Sequence, residues 1–176
     1  MTEEVKEPAA RVEIIPAMCE HAPILGNLLE LYIHDFSEFL HVKIGADGRF
    51  GYKDLPLYWS EPGRQAYLAH VDGSLAGLAL VKKGSEFSGN ENTWDMAEFF
   101  VLRAYRRRGI GTQIAHQVWR RLSGKWEVRV MQANVSAELF WEQAISQFVG
   151  EAVHPVPVDK HGECWKLFSF ESKDSL

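Results

Sequence analysis

Three arginines stand directly before a pair of glycines in the segment Tyr105-Arg106-Arg107-Arg108-Gly109-Ile110-Gly111-Thr112. Two glycines in one turn let backbone N–H groups converge, and a helix that begins there adds roughly half a positive charge at its N-terminus. This combination suits phosphate oxygens. The segment lacks the third glycine of the dinucleotide pattern and the Gly-Lys-Ser/Thr of the Walker pattern. A glycine-rich helix start without any ligand is the alternative interpretation.

Residues that could bind a metal ion are sparse. His161 and Cys164 could supply two ligands, but no second pair stands at the spacing of a zinc site. We therefore predict no metal centre. His70 and His116 fall within predicted elements, where we expect surface residues or satisfied core residues.

The apolar pattern predicts the two elements that flank the arginine-glycine segment. A strand is predicted over residues 94–102, where Glu98 interrupts a run whose end is apolar on both faces and therefore central in a sheet. Apolar residues four apart then predict a helix that begins after Gly109 and is stopped by Gly124. The candidate phosphate site thus lies between a strand and a helix.

The rest of the chain alternates between strand and helix periods. Strands are predicted over 11–18, 65–71, 75–82, 126–132, 151–155 and 163–169, and helices over 19–39 and 137–148. Asp72 and Gly73 supply the positive φ values of a tight hairpin, and Asn134 can cap the last helix. This order of elements predicts a mixed α/β fold with no internal repeat.

Residues 40–64 form the longest irregular connection. Glycines and prolines interrupt any period there, yet the segment contains Phe50, Tyr52, Tyr58 and Trp59. Connections of this length in compact domains are usually either functional or disordered, and the aromatic content favours a functional loop with a short helix. The aromatic side chains could fill the core or line a pocket.

Length and composition exclude several classes of protein. The 176 residues favour a single domain over 11–172, preceded by a charged, flexible tail over 1–10. Contents of 46% hydrophobic and 24% charged residues exclude wholesale disorder. The net charge of −5 argues against nucleic acid and anionic membranes as partners, and no apolar run reaches the roughly 18 residues of a membrane helix. Two cysteines and an acidic N-terminus favour the cytoplasm.

The segment from Tyr105 to Thr112 resembles the Arg/Gln-x-x-Gly-x-Gly/Ala acetyl-coenzyme A motif of the GNAT N-acetyltransferase superfamily. The resemblance extends from about residue 11 to 170, because the order of elements matches that fold. The residues Asn134, Ala137, Phe140 and Trp141 also fall where the family has Asn-x-x-Ala-x-x-Phe-Tyr. The resemblance implies a central, mostly antiparallel sheet flanked by helices, and acetyl-coenzyme A as cosubstrate.

The resemblance also implies a coenzyme A site. Amides from Arg106 to Thr112 would hold the pyrophosphate, and the backbone around Val101 and Leu102 would pair with the pantetheine arm like an extra strand. The implied site consists of Phe100, Val101, Leu102, Arg106, Arg107, Arg108, Gly109, Ile110, Gly111, Thr112, Asn134 and Trp141. The motif requires Arg106 alone of the three arginines, and the other two would contribute mainly through their amides.

Catalysis of amine acetylation needs a base, an oxyanion donor and a proton for the leaving thiolate. Glu98 is the implied base, because a carboxylate at that point of the strand often has this role in the family. It could instead pair with an arginine or face solvent, and His34, Asp35 and Asp95 are weaker candidates. Trp141 stands where the family commonly has a tyrosine acid, and its indole N–H is far too weak an acid to replace it.

We therefore expect an enzyme that moves acetyl from acetyl-coenzyme A to a primary amine, most readily that of a small molecule. A catalytically weak or inactive GNAT-fold module that senses acyl-coenzyme A is the alternative, which Trp141 at the tyrosine position leaves open. A nucleic-acid binder is remote because of the net charge. A homodimer would suit the family.

Overall fold

The computed structural model describes residues 10–173. Their seven strands form one sheet in the order β1-β2-β3-β4-β5-β7-β6, in which only the β4–β5 pair is parallel. The strands are β1 (Val12–Pro16), β2 (Arg64–Val71), β3 (Ser74–Lys83), β4 (Trp94–Val101), β5 (Gly124–Met131), β6 (Val156–Lys160) and β7 (Glu163–Ser172). The helices are α1 (Ala22–Phe36), α2 (Leu57–Ser60), α3 (Ile110–Arg121) and α4 (Val135–Val149). The predicted fold class, a mostly antiparallel sheet flanked by helices, is confirmed.

Most local signals act as the sequence predicts. Asp72 and Gly73 have φ values of 49° and 79°, which turn β2 into β3. Asn134 accepts a hydrogen bond from the Ala137 N–H at 3.0 Å and so caps α4. Of the predicted tail, residues 1–9 lie outside the described part of the chain.

Three predicted boundaries are wrong. The helix predicted over 19–39 is a 3-10 turn over Cys19–His21 followed by α1, which has Pro23 in its first turn. Gly124 does not end α3, which stops at Arg121; with a φ of 119° it begins β5 instead.

The strand predicted over 151–155 is the third error, because β6 lies at Val156–Lys160. The Val153 N–H donates to Ser146 Oγ at 3.0 Å, which holds the predicted segment against the end of α4 rather than in the sheet. Pro157 lies in β6, a strand paired only with β7, where its missing N–H costs least.

The sheet has two covered faces, and each has its own apolar cluster. The α3/α4 face packs helices α3 and α4 on residues such as Met96, Val101, Trp126 and Val128. The α1/α2 face packs Leu25, Leu28, Leu29 and Tyr58 on residues of β2, β3 and β4. Both faces of β4 are therefore buried, as its apolar run predicts.

Candidate active site

A slot opens between β4 and β5. The two strands pair only at Trp94–Trp126 and Asp95–Glu127 and then diverge. The Leu102 N–H donates to Ala76 O at 2.8 Å, so Leu102–Ala76 is a hydrogen-bonded pair of the antiparallel β3–β4 ladder. Because such pairs alternate along the ladder, the N–H groups of Phe99 and Val101 point away from β3, into the slot. The edge of β4 thus offers unpaired donors at residues 99 and 101.

A bulge in β4 brings two carboxylates to one face. Leu80 pairs with Glu98 and Val81 with Met96, so Ala97 is an extra residue. Without the bulge, Asp95 and Glu98 are three residues apart in a regular strand and would point to opposite faces, because side chains alternate along a strand. With it, both point to the α1/α2 face of the sheet.

Arg129 of β5 lies at the point where the strands separate. Its Nη1 is 2.6 and 2.8 Å from the two carboxylate oxygens of Asp95, and its Nη2 donates to Ala97 O at 3.1 Å. The guanidinium thus bridges the two strands through side-chain contacts just beyond their last backbone pair. It also neutralises Asp95, which leaves Glu98 as the carboxylate without a close ion pair in this cluster.

The loop that follows β4 leaves a row of backbone N–H groups free. Arg107 and Gly109 have left-handed φ values of 61° and 72°, and Gly109 caps α3 without a side-chain hydrogen bond. The N–H groups of residues 107–112 have no acceptor within residues 10–173. Consecutive free amides at a helix N-terminus form a concave anion site. Arg107 and Arg108 are exposed beside it.

Arg106 has a different role from the one that the motif implies. Its N–H already donates to Arg103 O at 3.2 Å, so the free amides start at residue 107 rather than 106. Its side chain donates from Nε to Val101 O at 2.7 Å and pairs with Asp35 at 2.6 Å. Arg106 therefore fixes the loop against β4 and α1, and it occupies the Val101 carbonyl.

The remaining predicted coenzyme A residues mostly contribute backbone or packing. Phe100 is buried on the α1/α2 face under the Arg106 guanidinium, and Leu102 packs on the same cluster. Ile110 is buried in the other cluster, and Thr112 lies in the first turn of α3. A Cβ at Gly111 would stand 3.1 Å from the Phe140 ring, so this glycine lets α3 approach α4 closely. Asn134 uses its side-chain oxygen for the cap of α4.

Trp141 is a core residue. It is 6% exposed, and its ring lies edge-on to Phe99 and Phe140 with centroids 4.8 Å apart in each case. Phe99 is on the strand whose edge lines the slot, so Trp141 lies directly behind that strand. It shapes the slot wall and supplies no acidic proton.

Glu98 lies among tyrosines on the α1/α2 face. Tyr52 Oη donates to Glu98 Oε1 at 3.0 Å, and Tyr32 of α1 approaches the same carboxylate. Burial raises the pKa of Glu98 above 4.5, although the positive charge of Arg129 and the tyrosine hydroxyls act in the opposite direction. A carboxylate with a raised pKa is a stronger base than an exposed one.

The other candidate bases have different surroundings. Asp35 is paired with Arg103 and Arg106, each at 2.6 Å, and these hydrogen bonds lower its pKa although burial opposes them. Asp95 is buried against Arg129. His34 is exposed on α1 beside Phe50. Of the candidates, Glu98 alone combines a raised pKa with neutral hydrogen-bond donors.

The aromatic loop contributes both core and wall. Tyr58 is buried, and Trp59 donates from Nε1 to Ala17 O at 2.8 Å. Glu30 of α1 accepts the N–H groups of Phe50 and Gly51, both at 2.8 Å, which fixes the loop to the helix. Tyr52 reaches Glu98 and also lines a cavity of about 410 Å³ between α1 and this loop. The loop therefore contributes side chains both to the core and to the wall of a cavity.

Arg129 and the contact of Tyr52 with Glu98 are features of the candidate site that the sequence did not identify. Arg129 could have been noticed as a charge within the apolar run from Val128 to Met131, where a strand interior rarely places one without a partner. Tyr52 carries no such signal, because its contact with Glu98 joins residues 46 positions apart.

The sheet divides between β4 and β5, and beside this division a strand, a loop and a helix form the concave anion site. This arrangement defines an acyltransferase fold of a known type. The chain matches the acetyltransferase (GNAT) family over residues 27–145 and belongs to that family. It is therefore an acetyltransferase by family.

Solved structures show the same fold at low sequence identity. An acetyltransferase from Thermus thermophilus shares 16% identity with a TM-score of 0.68, and the match covers 93% of this chain and 98% of that one. A putative acetyltransferase from Salmonella typhimurium, solved with its cofactor acetyl-CoA, shares 15% identity with a TM-score of 0.61, covering 93% and 95%. A GNAT acetyltransferase from Elizabethkingia anophelis with acetyl-CoA bound shares 16% identity with a TM-score of 0.56, covering 91% and 97%. No curated protein sequence matches the chain.

Metal-ligating side chains do not cluster in the part of the chain that the structure describes. Residues 10–173 contain no group of three or more His, Cys, Asp or Glu side chains placed to hold a metal ion. No described helix combines the length and apolar content that crossing a bilayer requires.

Proposed function

We propose that this acetyltransferase transfers the acetyl group of acetyl-coenzyme A to a primary amine on a small molecule. The observation that carries the proposal is the arrangement around β4. The free amides of residues 107–112 lie at the end of the slot beside this strand, and Glu98 projects from the same strand on its α1/α2 face. A donor held in the slot and an amine on that face would meet at β4.

The described residues fit acetyl-coenzyme A. The amides of residues 107–112, with Arg107 and Arg108 beside them, would hold the pyrophosphate. The Phe99 and Val101 N–H groups would pair with the pantetheine arm, and either could donate to the oxyanion. Bound acetyl-coenzyme A supplies an activated thioester carbonyl. Glu98 would take the proton of the attacking amine, directly or through a water molecule.

A small acceptor is favoured by the cavity between α1 and the aromatic loop, which Tyr52 lines. Its volume of about 410 Å³ lies within the range of small-molecule pockets. The Tyr52 hydroxyl also donates to the Glu98 carboxylate. The net charge of −5 disfavours nucleic acid as a partner, and a cytoplasmic location with a homodimeric state completes the proposal.

Release of thiol from acetyl-coenzyme A, measured across a panel of polyamines, amino sugars, amino acids and peptides, tests this proposal. We expect amine-dependent release with at least one small amine, together with an acetylated amine in the product. Acetylation confined to the peptides would contradict the small-molecule acceptor.

A sensor that binds acyl-coenzyme A without turnover is the second candidate. Trp141 favours it, because this residue is buried behind the slot where a proton donor would be needed. Coenzyme A binding with no thiol release for any amine would establish the sensor and contradict the enzyme.

A further inference from the structure

The β3–β4 loop, residues 84–93, is fastened to the sheet by a buried serine and a buried glutamate. The Ser85 hydroxyl donates to the carboxylate of Glu127 on β5. The same oxygen accepts the N–H groups of Phe87 and Ser88, both at 3.1 Å. Ser85 and Glu127 are 7% and 6% exposed, so this bond is shielded from water. Glu127 belongs to the last backbone pair of β4 and β5, and the loop is therefore anchored where these strands separate.

The anchored loop brings Phe87 against Trp165 of β7. The two half-buried rings lie edge to face, with centroids 5.7 Å apart. The Nζ of Lys160 in β6 lies 4.8 Å from the centroid of the Phe87 ring and donates to the Glu86 carbonyl. Phe87 and Trp165 thus form an aromatic pair, the Phe87–Trp165 pair, that contacts with β5, β6 and β7 hold in place.

The Phe87–Trp165 pair lies on the same face of the sheet as Glu98. Both neighbours of Arg129 in β5 belong to the apolar cluster of the α3/α4 face, so the Arg129 side chain points to the α1/α2 face. Leu167 of β7 is the register partner of Arg129 and therefore shares that face. Trp165 lies two residues from Leu167 and points in the same direction.

Glu98 lies between two covered parts of this face. On one side, α1 and the aromatic loop pack on β2, β3 and β4, and Tyr52 reaches the Glu98 carboxylate at 3.0 Å. On the other side, the β3–β4 loop crosses β5 to β7. Strand β7 is two strand spacings from β4, which is at least about 10 Å. An acceptor with its amine at Glu98 would therefore contact the aromatic loop on one side and the Phe87–Trp165 pair on the other.

The carboxylates around the β3–β4 loop already have partners. The pairs are Asp95–Arg129 at 2.6 Å, Glu86–Lys82 at 2.7 Å and Glu127–Ser85. A second ammonium group on the acceptor would have to displace one of these partners. An aromatic ring could instead pack on the Phe87–Trp165 pair, because aromatic rings stack or meet edge to face at centroid distances of about 4.5–7 Å. This part of the site therefore fits an aromatic amine better than a polyamine.

We propose that the Phe87–Trp165 pair selects the acceptor, and that the acceptor is a primary amine whose carbon skeleton carries an aromatic ring. This inference rests on the proposed function, because it names the class of amine from which Glu98 would take a proton. Phe87 and Trp165 contact the ring of the acceptor. Ser85 and Glu127 are positioning residues, since they act by holding Phe87 in place.

Steady-state kinetics with 2-phenylethylamine, putrescine and glucosamine test the substrate class. We expect kcat/KM to be about tenfold higher for 2-phenylethylamine than for the other two amines. Phe87→Leu should raise the KM for 2-phenylethylamine about fivefold, because one aromatic contact is lost. It should leave kcat, the KM for acetyl-coenzyme A and the kcat/KM for putrescine unchanged.

Phe148→Leu is the matched control. Phe148 is also half-buried, and its ring lies edge to face with Trp119 at a centroid distance of 5.1 Å. The Arg120 guanidinium covers this ring at 5.9 Å, as Lys160 covers that of Phe87. Phe148 packs on the α3/α4 face, so its variant should keep the wild-type KM for all three amines.

Ser85→Ala tests the anchor of the loop. We expect a rise of about fivefold in the KM for 2-phenylethylamine, with kcat and the KM for acetyl-coenzyme A unchanged. Glu127→Gln keeps the shape of the side chain and an oxygen that accepts from Ser85, so it should keep the wild-type KM. An equal rise in KM in both variants would overturn the positioning role of this hydrogen bond.

The outcomes separate the selection of the acceptor from the proposed function. A wild-type preference for putrescine or glucosamine would overturn the aromatic class and leave transfer to a small amine intact. Equal KM changes in Phe87→Leu and Phe148→Leu would overturn the role of the Phe87–Trp165 pair. If the wild-type protein released no thiol with any amine, the proposed function itself would fail, and this inference with it.

Discussion

The chemistry of Glu98 depends on the residue next to it. Ala97 is the bulged residue that brings Glu98 to the same face as Asp95, and Arg129 then neutralises Asp95. Burial of Glu98 raises its pKa, although its tyrosine donors act in the opposite direction. The consequence is a carboxylate that is a stronger base than an exposed glutamate, and the buried charge is its cost in stability.

Glu98→Gln keeps the shape of the side chain and removes its basicity. We expect the rate at pH 7 to fall by roughly 10²-fold, with coenzyme A affinity unchanged. The wild-type rate should rise with pH along a limb that lies above 4.5, because the deprotonated form is active. Steady-state kinetics and calorimetry measure both. A near-normal rate in the variant would remove Glu98 from the mechanism.

The same variant has a pH-dependent effect on stability. The pKa of Glu98 is raised in the folded state, so folding favours the protonated form. The destabilisation is absent below 4.5 and develops as pH rises through the folded-state pKa. Glu98→Gln should therefore be more stable than the wild type at pH 7, and this advantage should disappear toward pH 4. A constant difference across that range would contradict the raised pKa.

Trp141→Tyr separates the enzyme from the sensor. In an enzyme, turnover should rise or stay unchanged, since a phenol adds a proton donor behind the slot. Trp141→Phe is the control, because it loses similar volume without gaining a hydroxyl. Both changes should lower Tm, since Trp141 packs edge-on against Phe99 and Phe140. Loss of an existing activity in Trp141→Tyr alone would contradict the proton-donor argument.

The loop between β4 and α3 is the element most predictable from the sequence. The spacing of Arg106, Gly109 and Gly111 fixes where backbone amides converge, because left-handed φ values are local properties. The hairpin at Asp72-Gly73 and the cap at Asn134 were predictable for the same reason. The cofactor residues remain a prediction that binding experiments must test.

Long-range contacts could not be predicted in this way. Strand β4 is apolar on both faces, so its sequence has no alternation in which the bulge at Ala97 could be recognised. The Tyr52–Glu98 hydrogen bond depends on how the aromatic loop folds over α1. The predicted position of β6 is wrong because Pro155 and Pro157 interrupt the alternating pattern of this strand. The Val153 N–H donates to Ser146 Oγ, which holds the predicted segment outside the sheet. Each of these features is decided by tertiary contacts.

The exposed arginines of the loop should contribute to coenzyme A binding through charge. Arg108→Glu should weaken binding about tenfold or more at low salt, and this difference should shrink as salt screens exposed charges over about 10 Å at 0.1 M. Arg120→Glu makes the same change of charge at the opposite end of α3 and is the control. Calorimetry at two salt concentrations measures this effect. Equal losses in both variants would indicate a net-charge effect and no local site.

The sheet divides at one point, between β4 and β5, and Arg129 bridges the division. Removing Arg129 leaves the buried Asp95 carboxylate with the longer contact to Lys82 Nζ, at 3.9 Å, in place of its close ion pair. Arg129→Met should therefore cost about 3–5 kcal/mol in the free energy of unfolding, and adding Asp95→Asn should restore part of it. Denaturant unfolding of the single and double variants measures this. Additive losses would contradict the pairing.

The divided sheet would let the acetyl donor and the amine approach from different sides. The loop at residues 107–112 lies at one end of the slot, and the cavity beside Tyr52 lies on the α1/α2 face. Acetyl donor and amine would therefore bind to different elements and meet only at β4. This separation is how the fold would bring about transfer.

Amide hydrogen exchange with and without coenzyme A tests this separation. The N–H groups of residues 107–112, which have no acceptor within residues 10–173, should become protected on binding, together with those of Phe99 and Val101. The N–H groups of Phe50 and Gly51, already bonded to Glu30 at the acceptor side, should keep their exchange rates. Binding that protects the acceptor side and leaves residues 107–112 unchanged would contradict the account.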